Sequence, residues 1–132
     1  MPSRYPTSKL LEVLTCRELA RLHPVARLNV TLNFANPGWC HSELMREQDS
    51  AVLRFVMRLL ARSTEVGSRP LAFAGLAGPE THGAYLSNCR VERCAPMVEG
   101  REGPELQRRV WGELREILEG IQPGVTNVLE EV

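Results

Sequence analysis

Leu28-Asn29-Val30-Thr31-Leu32-Asn33-Phe34-Ala35 alternates apolar and polar side chains and runs into Asn36-Pro37-Gly38. Strict alternation puts one set of side chains on each face of a pleated strand, and Asn-Pro-Gly is turn chemistry. The stretch predicts a strand over 28–35. Before it, Leu10, Leu11, Val13, Leu14, Leu19, Ala20 and Leu22 are interleaved with Glu12, Arg17, Glu18 and Arg21. That spacing gives a helix over 8–23 with a wide apolar arc; Pro6 suits its first turn and Pro24 stops it. After the polar residues 41–49, Val52, Phe55, Val56, Leu59 and Leu60 recur at helical spacing, with Arg54, Arg58 and Arg62 opposite.

Further along, Ala-rich composition reads 63–77 as helix, although Gly67 and Pro70 disfavour its early turns. Residues 77–83 are a loop, and Ala84 to Val91 reads as a second strand. Gly103-Pro104-Glu105 opens a last helix with proline at its start and an acid in its first turn. Leu106, Val110, Leu114, Ile117, Leu118 and Ile121 form its buried stripe, and residues 125–132 are expected to be a loose tail. Strands separated by helices imply parallel α/β connections. Two strands alone leave unpaired edges and cannot cover the wide apolar arc of helix 8–23. The pattern is therefore that of part of an α/β fold, one unit over residues 1–132.

Composition narrows the class. Hydrophobic residues make up 43% and charged residues 24%, ordinary for a globular chain. Lys+Arg and Asp+Glu both count 16, so the formal net charge is zero. A nucleic-acid or polybasic membrane-surface binder needs a sustained basic excess. No apolar run reaches the ~20 residues of a membrane span, and the first residues lack a signal pattern. The expectation is a cytoplasmic chain. Cys16, Cys40, Cys89 and Cys94 lack the close pairing zinc wants, so free thiols and no metal are expected.

All the basic residues but one are arginine; the single lysine is Lys9. Tyr5 and Lys9 stand four residues apart, on one helical face. An ammonium there favours the phenolate, which makes a tyrosine usable as an acid/base.

Arg4-Tyr5-Pro6-Thr7-Ser8-Lys9-Leu10-Leu11-Glu12 at a helix start, then the alternating stretch ending in Asn36-Pro37-Gly38, then Ser42, resembles the C-terminal half of the short-chain dehydrogenase/reductase family. Gly78-Pro79-Glu80-Thr81-His82-Gly83-x-Tyr85-Leu86-Ser87 and Gly103-Pro104-Glu105-Leu106-Gln107 leading to Trp111 look like fungal members. The resemblance covers nearly all of the chain. It implies a partial Rossmann-like fold, its last two parallel strands flanked by helices. It also implies an NAD- or NADP-dependent oxidoreductase of secondary metabolism acting on a small carbonyl or secondary alcohol. By the same resemblance Tyr5 exchanges a proton with the substrate. Lys9 assists it and binds the nicotinamide ribose. Pro37 and Gly38 shape the turn against the nicotinamide, and the backbone near Cys40 and the Ser42 hydroxyl meet its carboxamide. The family usually has threonine at Ser42 and an aliphatic residue at Cys40.

No glycine-rich phosphate turn occurs in the sequence, and the pyrophosphate needs one at a helix N-terminus. The expectation is a truncated chain that binds dinucleotide weakly by itself and pairs with another copy or a complementing chain. Two alternatives stay open: a non-catalytic remnant or partner subunit offering a docking surface, and a small cyclase or isomerase that reuses Tyr5 as an acid. His23 and His41 carry no readable role. His82 reads as a loop residue and Trp111 as core.

Overall fold

The computed structural model describes residues 4–40 and 60–127. Helix α1 spans Arg4–Leu22, α2 Val25–Leu28 and β1 Phe34–Asn36. Helix α3 (Thr64–Leu76) leads through a 3-10 turn, Pro79–Thr81, to β2 (Tyr85–Ser87) and β3 (Arg90–Glu92). Helix α4 is Pro96–Glu99 and α5 is Gly103–Ile121. The sheet is mixed, in the order β1-β2-β3: β1 pairs parallel with β2, Phe34 opposite Tyr85, and β2 pairs antiparallel with β3. A parallel pair with intervening helix is the expected α/β arrangement, in its partial Rossmann-like form.

Both strand expectations need correction. Residues 28–35 are not one strand: Pro24 starts a helical turn that Asn29 closes in the left-handed region at φ 52°. Only Phe34–Asn36 pairs as strand, because the approach to it is tied by a side chain instead of a ladder. The Leu32 N–H donates to His82 Nδ1 at 3.1 Å, while Leu32 O accepts from the Gly83 N–H at 2.7 Å. Residues 84–91 are not one strand either. They fold as a hairpin whose two turn residues, Asn88 and Cys89, sit at φ 52° and 56°. Two successive left-handed residues match the right-handed twist of the flanking strands. A glycine would have signalled that turn; cysteine does not.

The helices follow the sequence more closely. Helix α1 starts at Arg4, taking in Tyr5 and Pro6. Helix α3 forms despite Gly67 and Pro70, with Ser63 as its cap accepting from the Val66 N–H. The helix expected from Val52 to Leu60 lies outside the described residues except at its end. Arg62, assigned to its polar face, instead makes an isolated parallel bridge with Cys40. On α5 the apolar stripe is incomplete, since Ile117 and Ile121 are 61% and 75% exposed. The tail is partly anchored: Glu119 accepts from the N–H groups of Gly124 and Thr126 and from the Thr126 hydroxyl. Residues 128–132 lie outside the described residues.

Among the described residues the buried apolar core is Leu14, Ala20, Leu86 and Val98. Where α1 meets α5 the contact is largely polar. Glu18, almost fully buried, accepts from Arg21 at 2.6 and 3.0 Å and from Gln107 Nε2 at 2.7 Å. The chain of contacts continues from Gln107 to Arg17 (3.3 Å) and from Arg17 to Cys94 Sγ (3.7 Å). Hydrogen bonding to Arg21 holds the Glu18 carboxyl below its ordinary range, against the opposing effect of burial.

Candidate functional site

Tyr5 and Lys9 occupy the first turns of α1, and the four-residue spacing brings them together. The Lys9 ammonium is 5.9 Å from the centre of the Tyr5 ring. Lys9 also donates to both carboxylate oxygens of Glu12, at 3.0 and 2.9 Å. That hydrogen bonding raises the Lys9 pKa above the ordinary lysine value; desolvation opposes it, and the charges of Glu12 and Tyr5 add to it. The ammonium is thus kept charged, hydrogen-bonded to Glu12 and set over the Tyr5 ring. Glu12 was legible only as helix polarity, although Lys-x-x-Glu puts the two side chains on one face.

Pro37, Gly38 and Cys40 form the second group, at the carboxyl end of the parallel pair. Ligands in open α/β sheets gather outside that end. Gly38 adopts φ +73°, which a side chain would strain, and its N–H donates to Asn36 Oδ1 at 2.9 Å. Asn36 Nδ2 donates in turn to the Tyr85 hydroxyl at 2.8 Å. The Tyr85 ring packs against Phe34 of the neighbouring strand, ring centres 5.9 Å apart. Cys40 leans on α3, where a Cβ on Gly67 would stand 2.6 Å from both its Cβ and its Sγ. Only glycine lets α3 seat this closely against the turn. Ser42 lies outside the described residues.

Four residues around this turn escaped sequence reasoning: Asn36, Tyr85, Arg62 and Asn88. The Arg62 N–H donates to the Trp39 carbonyl at 2.9 Å, and its Nη1 donates to Asn88 Oδ1 at 2.7 Å. Apart from the local Asn36–Gly38 bond, each of these partners is remote in sequence, so no local spacing announces them.

His82 is more than a loop residue. Because the Leu32 amide can only donate, Nδ1 accepts, and Nε2 carries the hydrogen. Nε2 then faces the carbonyls of Ala20 and His23, each at 3.1 Å. One neutral imidazole thereby ties the end of α1 to the approach to β1. Nearby, Trp111 is half-buried and forms one wall of a cavity of about 450 Å³ with Leu22, His23, Arg27, Arg115 and Thr126. All four cysteines are free thiols. Among the described residues no cluster of three His, Cys, Asp or Glu side chains could hold a metal, and no helix is long and apolar enough to cross a membrane.

A parallel pair ending in a glycine turn, behind a helix that opens with Tyr-x-x-x-Lys, defines an α/β chain with the outline of a nucleotide-binding fold. Known proteins agree with that outline. The chain is 49% identical to the short chain dehydrogenase/reductase dmxR8 of Cryptosporiopsis sp. over 123 residues, 93% of this chain and 38% of that protein. It is 38% identical to the short-chain dehydrogenase anuD of Penicillium roqueforti, over 100% of this chain and 37% of that protein. It is 35% identical to the short chain dehydrogenase resG of Aspergillus sclerotiorum, over 86% of this chain and 31% of that protein. No family model and no solved structure matches the chain. The chain belongs to the short-chain dehydrogenase/reductase family, in the form found in these fungal proteins, and spans about a third of their length.

Proposed function

We propose that these residues are the acid/base portion of an NAD- or NADP-dependent oxidoreductase of fungal secondary metabolism, acting on a small-molecule carbonyl or secondary alcohol. The observation that carries this reading is the Tyr5–Lys9 pair at the start of α1, the ammonium 5.9 Å from the phenol ring. In the reducing direction the Tyr5 O–H donates its proton to the carbonyl oxygen; in the oxidising direction the phenolate takes the proton from the alcohol. Lys9, held charged by Glu12, stabilises the phenolate and offers N–H donors to the ribose hydroxyls.

The turn after β1 suits the nicotinamide end of the cofactor. Gly38 presents no side chain, Pro37 fixes its approach, and the backbone at Cys40 with the hydroxyl of Ser42 supplies groups for a carboxamide. The cofactor, when bound, would give the hydride in reduction and take it in oxidation. Its pyrophosphate finds no glycine-rich turn in this sequence, so the isolated chain should bind dinucleotide weakly. Calorimetry showing low-micromolar affinity for NADH or NADPH contradicts that expectation.

The test of the chemistry is turnover when this chain is completed, in cis or as a separate chain, by the N-terminal region of a relative. Tyr5→Phe should cost about a hundred- to ten-thousand-fold in turnover with cofactor affinity little changed. Lys9→Ala should damage both. Full activity in Tyr5→Phe would assign the proton to another group and reject this reading.

A further inference from the structure

We propose that Arg62 is the positioning residue of the Pro37–Gly38 turn, clamping it to the tip of the β2–β3 hairpin so that the turn meets its ligand already in shape. The clamp rests on the reading of that turn as the nicotinamide site. Arg62 enters on its main chain, its N–H donating to the Trp39 carbonyl beside the bridge to Cys40. From there the guanidinium doubles back over Gly38. Its Nη1 lies 3.5 Å from where a Cβ on Gly38 would stand, and the same nitrogen donates to Asn88 Oδ1 at 2.7 Å. Asn88 is itself fixed, as the first left-handed residue of the hairpin turn.

The opposite flank of the turn is held by Asn36, which accepts from the Gly38 N–H and donates to the Tyr85 hydroxyl. Gly38 is therefore bonded by Asn36 on one side and covered by Arg62 on the other, and both of these residues are tied to the β2–β3 hairpin. Glycine is the most conformationally permissive residue, and a ligand that had to order it would lose affinity in doing so. Arginine suits the task because its planar fork stays charged and holds several donors in one fixed arrangement. Arg62 acts on the turn and need not touch the ligand.

The probe is reduced nicotinamide mononucleotide, which presents the nicotinamide-ribose end without the adenosine half, titrated into the isotope-labelled 132-residue chain with amide shifts as the readout. The parent should show shifts at Gly38 and Trp39. Arg62→Ala and Asn88→Ala should each weaken that binding about tenfold, the loss of one hydrogen bond to a charged group. The double variant should weaken it no further than either single one, because both remove the same link. Arg62→Lys should recover part of the affinity. Amides away from the turn should keep their parent positions, which a general loss of fold would not allow; if Arg62→Ala fails to fold, Asn88→Ala carries the comparison. Equal affinity in the parent and in the folded Arg62 or Asn88 variants overturns the clamp while leaving the nicotinamide reading standing. A parent chain with no shift on the turn overturns that reading, and the clamp with it.

Discussion

Two glycines in helical positions carry opposite expectations. At Gly67 a methyl group would stand 2.6 Å from the Cβ and Sγ of Cys40, whereas at Gly112, within α5, a methyl meets nothing within 4 Å. Alanine gains about 1 kcal/mol over glycine in a helix interior. Forcing an extra carbon into a filled contact costs about 1–3 kcal/mol, so at Gly67 the clash wins. Gly67→Ala should lower the urea midpoint and displace the Pro37–Cys40 turn, and Gly112→Ala should raise the midpoint. A stabilised Gly67→Ala would mean that α3 does not press on the turn as described. The same comparison explains why Gly67 looked like a flaw in a helical stretch: the reason for it sits across the structure, at Cys40. The Tyr5–Lys9 pair was legible because both partners lie within one helical turn. Arg62 and Asn88 were not, because their meeting depends on how the hairpin folds back.

Between elements, the contact of α1 with α5 depends on Glu18. Removing its carboxylate leaves the buried Gln107 amide without its acceptor, whereas the exposed Arg21 guanidinium can turn to water. Glu18→Ala should therefore cost about 1–3 kcal/mol, more than an exposed ion pair would contribute. Its pH dependence has a definite sign. The folded-state pKa of Glu18 is depressed, so its contribution is complete above the pKa of an unfolded glutamate. It is lost as pH falls from that value through the lower folded one. In acid titration the stability difference between the parent and Glu18→Gln should be constant above that window and narrow within it; a difference that stays constant throughout would remove Glu18 from the account. Helices α1 and α5 were readable from period and stop signals and α3 from its Ala-rich composition, since a helix satisfies its backbone within itself. Strands 28–35 and 84–91 were overextended because alternation reports a pleat only where a neighbour supplies the ladder. Val30, counted as one apolar face of that strand, is 60% exposed. The polar α1–α5 seam left no trace in a pattern that treats Glu18 and Gln107 as solvent-facing.

Across the whole molecule, apolar surface remains uncovered: Leu71, Leu76, Ile117 and Ile121 are all more than half exposed. Each large aliphatic side chain left in water forgoes roughly 1.5–3 kcal/mol, and β1 has an edge without a strand partner among the described residues. Sedimentation at micromolar concentration should show self-association or aggregation. A single monomer with a concentration-independent thermal transition would show that this surface needs no cover. His82 bears on the order of events when the chain folds. Its imidazole joins positions 62, 59 and 50 residues away, so its contacts wait on the closure of long loops. We predict that such contacts form late on the folding path, after the rate-limiting step. His82→Ala should accordingly hasten unfolding in stopped-flow measurements and leave the refolding rate nearly unchanged. The residue that closes the join between α1 and the sheet would then act as a latch, setting how long the fold lasts and not how fast it is reached.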